Sequence, residues 1–144
     1  MAATRTANAH WEGSLMEGAG QVSLESSGVG TFDVSWPSRA EAANGKTSPE
    51  ELIAAAHSTC YSMALSNGLA KAGTPPTTID TTAEVTFQPG TGITGIVLKV
   101  LGDVPGMSAA EFEEAAQAAK TGCPVSQALS AVPITLEVQF KAAS

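Results

Sequence analysis

Basic residues are scarce in this sequence. Seven Lys and Arg stand against fourteen Asp and Glu over 144 residues, a formal net charge of −7, and the pI is near 4.6. There is no basic stripe and no Lys/Arg run, and an acidic surface repels phosphate backbones, so nucleic acid is not an expected partner. Charge of either sign is thin, at 15% of residues against roughly 25% in typical soluble domains. A small chain with so little charged surface invites burial of some of it against another subunit. Long apolar runs are missing too. The most apolar stretch, Leu52 to Leu65, is too short and too polar for a membrane span of about 20 residues. The first ten residues, Met1 to His10, lack the apolar centre of a secretory signal. Two cysteines are too few for the disulfide framework of a small secreted fold. Two histidines, no CxxC and no clustered ligand spacing exclude a structural zinc site. These absences lead to the expectation of a soluble, cytoplasmic protein that engages no membrane and no metal.

What is present suits one domain, residues 1–144. The apolar share is 43%, enough for a core, and the length matches the roughly 100–150 residues of common domains. Residues 10–13, 21–25 and 31–36 mix aromatic and β-branched residues in alternation. Gly18 to Gly20 and Ser27 to Gly30 lie between them as turn material, which predicts an antiparallel meander. A polar loop is expected from Pro37 to Lys46.

A helix opens at Ser48, with Pro49 at its first position and Glu51 completing a capping box, and should end near Gly68 or Gly73. Nothing charged occurs from Leu52 to Ala70. A helix with no solvated face is buried on most sides, which a dimer arranges more easily than a monomer of this size. Strands are expected at 80–87 and 96–101, joined by a Gly-rich loop from Pro89 to Gly95. A second capping box, Ser108 to Glu111, opens a helix closed by Gly122. A short helix follows from Cys123, and 133–140 forms a last strand. The fold class is α+β: antiparallel β-sheets with a long, buried central helix.

Two motifs fail on inspection. Gly90-Thr-Gly92-Ile-Thr-Gly95 matches GxGxxG, but a strand follows it where a dinucleotide site needs a helix N-terminus. Gly45-Lys46-Thr47 resembles the tail of a P-loop, yet the earlier glycine would fall at Ala40.

Cys60, Cys123, Arg39, Glu50, Glu51 and His57 remain as candidates. His57 and Cys60, at i and i+3, share a helix face. They make either a Cys–His dyad or a thiol beside a hydrogen-bonded core histidine, and no third orienting group can be placed for the dyad. Cys60 alone reads as a small buried apolar residue as readily as a nucleophile. Cys123 sits at a helix N-terminus, where the dipole favours a thiolate, so dipole reasoning selects it as the more acidic thiol. Glu51 is committed to the cap, which leaves Glu50 to hold a cation, with Arg39 the nearest in sequence.

The run Ser48-Pro-Glu50-Glu51-Leu52-Ile53-Ala-Ala-Ala-His57-Ser-Thr-Cys60-Tyr61-Ser-Met63-Ala-Leu65-Ser66 resembles the central helix of the OsmC/Ohr family of thiol peroxidases. Gly122-Cys123-Pro-Val-Ser126-Gln127 resembles the family's second cysteine motif, and His10 to Gly13 and Ile79 to Ala83 extend the likeness over nearly the whole chain. Arg5 lacks the Gly-rich strand setting of the Ohr-branch arginine, whereas Arg39, in the loop before the helix, matches the OsmC branch. The resemblance implies an intertwined homodimer with active sites at the subunit interface. It makes Cys60 the peroxidatic thiolate and Cys123 its partner in a disulfide. Arg39 would stabilise the thiolate, and Glu50 would orient Arg39. It further implies organic hydroperoxides as substrates, a dithiol reductant on a lipoylated protein, and chemistry with no metal, haem or flavin. On this reading Leu52, Ile53, Tyr61 and Met63 could line an apolar pocket for the alkyl group, the alternative being ordinary core. Two rival roles for the same fold remain: non-catalytic binding of a small molecule, and redox sensing.

Overall fold

The computed structural model describes residues 1–141. These divide into two compact units, the first comprising residues 1–52 and the second beginning at Ile53. In the first, strands β1 (Asn8–Glu12), β2 (Ala19–Ser23) and β3 (Thr31–Val34) form an antiparallel meander in that order.

The expected loop at 37–46 instead begins as a short helix, α1 (Trp36–Ala40). Ser35 is its N-cap: its hydroxyl accepts from the Ser38 amide, and the Ser38 hydroxyl accepts from the Ser35 amide. This is a capping box built with serine at the third position, where a Glu or Gln signal is the usual guide. Thr47 then bridges back to Val34, and the central helix α2 (Pro49–Lys71) begins. The Ser48 hydroxyl accepts from the Glu51 amide at 3.2 Å, as expected. The Glu51 carboxylate accepts from the Thr47 hydroxyl at 2.6 Å in place of the Ser48 amide, so only half of the anticipated box forms.

The second unit holds the body of α2, strands β4 (Thr78–Gln88) and β5 (Gly92–Asp103), helices α3 (Ala109–Gly122) and α4 (Pro124–Ala128), and strand β6 (Ile134–Phe140). α2 passes through Gly68, and the chain turns at Gly73, whose φ of +89° is one that glycine adopts without a side-chain clash. β4 and β5 pair antiparallel through a tight turn in which Gln88 faces Gly92, so the GxGxxG stretch is a hairpin. β6 joins the other edge of β5 in parallel register, Ile96 opposite Ile134 and Gly102 opposite Phe140. The α3–α4 segment supplies the crossover that a parallel pair requires.

The core lies between the buried face of this sheet and two helices. β5 contributes Ile96, Leu98, Val100 and then Val104 just beyond the strand; α2 contributes Tyr61, Leu65 and Leu69; α3 contributes Phe112, Ala116 and Ala119. The spacings are those of a strand (period two) and of helix stripes (three to four). Gly102 interrupts the strand because a β-carbon there would lie 2.2 Å from the ring of Phe112, which packs against Phe140 at 5.1 Å between centroids. α3 opens with the complete Ser108–Glu111 capping box read from the sequence.

Candidate active site

The candidate side chains fall into two clusters, one in each unit. In the first unit the box at Ser35–Ser38 places Arg39 on the last turn of α1, facing the first turn of α2. Arg39 Nε donates to both Glu50 carboxylate oxygens, at 3.1 and 3.2 Å, and Nη2 donates to Oε2 at 2.9 Å. Glu50 is 6% exposed. A buried carboxylate gripped by a planar guanidinium fork is held in both position and orientation. Glu51, the next residue, points to the helix cap and solvent, as the division of the two glutamates anticipated. Beside the pair runs an apolar groove of about 280 Å³, walled by Trp11, Leu15, Trp36, Pro49 and Leu52 and bordered by Arg39.

In the second unit, Cys60 on α2 and Cys123 at the junction of α3 and α4 are both free thiols. Their sulfurs are 3.1 Å apart, although 63 residues separate them in sequence. Cys123 is 0% exposed, whereas Cys60 is only half-buried. Burial pushes the Cys60 thiol above its ordinary value, and the hydrogen bond to Cys123 adds to the rise. Burial pushes Cys123 up as well. It is outweighed by the Ser126 amide, the Cys60 thiol, the Ser126 hydroxyl and the Val125 amide, which together hold Cys123 below its ordinary value. The acidity order is the one that dipole reasoning gave.

His57 is fully buried, and its Nε2 lies 2.7 Å from Ser126 Oγ. It is therefore the hydrogen-bonded core histidine of the two readings considered for it, and burial lowers its pKa so that it stays neutral.

The four residues considered for a pocket have different surroundings. Leu52 walls the groove beside Arg39. Ile53 is half-buried. Tyr61 is core: it is fully buried, its hydroxyl donates to the Ala116 carbonyl at 2.9 Å, and its pKa is raised first by burial. Met63 is 67% exposed and lines an open groove of about 670 Å³ with Ser62, Ser66 and Asn67. Three site residues carry no earlier signal of their own. Trp36 reads only as a strand aromatic, and Trp11 only as that and as a member of the His10–Gly13 likeness. Ser126 was visible only as part of a motif, although its i+3 spacing from Cys123 repeats that of His57 and Cys60. Among the described residues no cluster of His, Cys, Asp or Glu could hold a metal ion, and no helix is long and apolar enough to cross a membrane.

Residues 42–137 match the family model of OsmC-like proteins. The chain belongs to the OsmC family. It is 49% identical over 136 residues to peroxiredoxin OsmC of Escherichia coli K12, covering 92% of this chain and 94% of that protein. The fold is also that of the organic hydroperoxide resistance protein OsmC of Legionella pneumophila, with a TM-score of 0.69 at 22% identity over 98% of this chain and 100% of that one. OhrB of Bacillus subtilis gives a TM-score of 0.65 at 24% identity, over 94% and 98% of the two chains. The OsmC-family match includes both cysteine positions, Glu50 and the whole of α2, and it crosses the boundary between the two units.

Proposed function

We propose that this chain reduces organic hydroperoxides through Cys60, forms a Cys60–Cys123 disulfide, and is reset by a dithiol. In class it is a cysteine-based peroxidase acting in oxidative stress, with a hydroperoxide substrate and a thiol reductant. The finer assignment rests above all on one observation: a half-exposed thiol in contact with a fully buried one. Of the two residues only Cys60 keeps exposed surface by which a peroxide could approach, so in this reading access selects Cys60 as attacker even though Cys123 is the more acidic. Cys60 must then be ionised by a charge from elsewhere, and Arg39, fixed by Glu50, is the cation proposed for that task. In this reading the Cys60 thiolate attacks the distal peroxide oxygen. The O–O bond breaks, an alkoxide leaves and takes up a proton as the alcohol, and Cys60 becomes a sulfenic acid. Cys123 attacks that sulfur and water departs. In total, two thiols and ROOH give a disulfide, ROH and H2O.

The groove beside Arg39 supports an alkyl-bearing substrate, with Leu52, Trp11 and Trp36 against the hydrocarbon. We assign no such role to Tyr61. The two units act as one OsmC-like domain in this reading, since α2 begins in one and continues through the other. A homodimer is favoured by an uncharged, exposed stripe on α2 formed by Ala56, Thr59, Met63, Asn67 and Ala70. A cytoplasmic site suits a catalyst whose cysteines must be returned to thiols, and a lipoylated protein fits the need for a dithiol donor. Turnover tests the reading: with dihydrolipoamide in excess, wild type consumes many equivalents of cumene hydroperoxide and Cys60→Ser consumes none. A single equivalent consumed would instead mark a stoichiometric sensor, and none would favour a binding role.

A further inference from the structure

The peroxide chemistry above leaves His57 unused, a fully buried titratable group one helical turn from Cys60. His57 and Cys60 stand at i and i+3 on α2, and Cys123 and Ser126 stand at i and i+3 across from them. The cross-contacts close a square, with His57 to Ser126 at 2.7 Å and Cys60 to Cys123 at 3.1 Å. The tautomer of His57 follows from its surroundings. Its Nδ1 is buried without a hydrogen-bond partner. A proton there would be an orphaned donor, which folded proteins tolerate less well than an unused acceptor lone pair, so the proton belongs on Nε2. An Nε2–H can only donate, so Ser126 Oγ accepts and its own hydroxyl proton is free to turn toward the Cys123 sulfur, the group whose acidity it enhances.

We propose that His57 is a positioning residue for the second thiol: by donating to Ser126 it aims the Ser126 hydroxyl at Cys123 and holds α4 in the register that brings Cys123 to Cys60. This inference rests on the assignment of Cys123 as the resolving thiol. In the step it serves, the Cys123 thiolate attacks the sulfenic sulfur of Cys60. The S–S bond forms as the S–O bond breaks, Cys123 is oxidised and the Cys60 sulfur is reduced. The hydroxide leaves with the proton that Cys123 had given up. Ser126 stabilises the thiolate beforehand, and His57 stays neutral throughout.

The test compares Ser126→Ala, His57→Leu and His57→Gln, whose side-chain amide keeps a donor near the Nε2 position but cannot titrate. Rapid-mixing kinetics with cumene hydroperoxide, with a sulfenic-acid trap and quenched mass analysis, give the rates of sulfenic acid and disulfide formation separately. The expected result in Ser126→Ala and His57→Leu is a fall of at least about threefold in the ratio of the second rate to the first. That figure is what remains of a tenfold loss of thiolate after the gain in intrinsic nucleophilicity. His57→Gln should restore the ratio. In a Cys60→Ser background, thiolate absorbance should show the Cys123 pKa rising by about one unit on Ser126→Ala, the size of one hydrogen bond to a charged group. An unchanged ratio, a His57→Gln as slow as His57→Leu, or an equal slowing of both steps would overturn the proposal. The absorbance measurement needs no peroxide chemistry. Failure of wild type to form the disulfide would therefore sink the functional reading while the Cys123 pKa still reports on His57 and Ser126.

Discussion

Cys60 and Cys123 divide acidity from access. Cys123 has the amides of Val125 and Ser126 to lower its pKa but no exposed surface, and Cys60 is only half-buried but has a raised pKa. In the proposed mechanism Cys60 takes its ionising charge from Arg39, whose guanidinium is held by Glu50. Glu50→Gln weakens the fork to a neutral partner and should lower kcat/KM by at least about tenfold, the scale of a charge-assisted hydrogen bond. Glu51→Gln, at a solvent-facing cap, should leave kcat/KM within about twofold and cost a few tenths of a kcal/mol in stability. Steady-state kinetics on the two variants separates the roles, and equal losses would contradict the division. His57 also has a consequence for stability. Its folded pKa is depressed by burial, so the unfolded chain binds its proton more readily. The stability it contributes is full above the ordinary histidine pKa of about 6.5 and is lost as pH falls through that value toward the lowered one. The unfolding midpoint should drop as pH falls below about 6.5, and His57→Gln should flatten that slope in thermal melts.

At the scale of elements, signals that act locally were legible and those that depend on distant partners were not. Both long helices announce themselves by caps, Ser48 with Pro49 and Ser108 with Glu111, and the structure places both starts there. α1 escaped because its cap partner is Ser38 in place of an acidic residue, and because Pro37 reads as loop material until Ser35 is seen to cap it. The parallel pairing of β6 with β5 has no trace in local alternation: the register depends on the crossover, and the strand pattern would suit either direction. Cys60 and Cys123 were named from motifs, but only the packing of α4 against α2 brings their sulfurs within 3.1 Å. Ser126 was invisible as a functional group because a hydroxyl one turn after a helix start has many ordinary uses. The α3 cap makes its own prediction. Ser108→Ala should destabilise the chain by about 1 kcal/mol, read from denaturant unfolding. Glu111, whose pKa is lowered by its hydrogen bonds to Ser108, contributes stability above the ordinary carboxylate range that is lost as pH falls through its lowered value.

Across the whole molecule, the scarcity of charge has a location. The sequence places no charge between Leu52 and Ala70, and in the folded chain the stripe from Ala56 to Ala70 is exposed while the opposite face carries Tyr61, Leu65 and Leu69 into the core. A helix that is apolar inside and uncharged outside presents a face suited to covering by a second copy, the arrangement proposed above. If that interface is the homodimer, Met63→Glu, which puts a charge in the middle of the stripe, should convert a dimer to monomers in sedimentation equilibrium. A Met63→Glu protein that stays dimeric would move the interface elsewhere.

The measurement that bears most directly on the central claim uses reduced protein, one equivalent of cumene hydroperoxide, and intact mass with disulfide mapping. The account predicts a Cys60–Cys123 disulfide in wild type, sulfenic or overoxidised Cys60 in Cys123→Ser, and no reaction in Cys60→Ser. Reaction surviving in Cys60→Ser would show that acidity, not access, chooses the attacking thiol, and would contradict it.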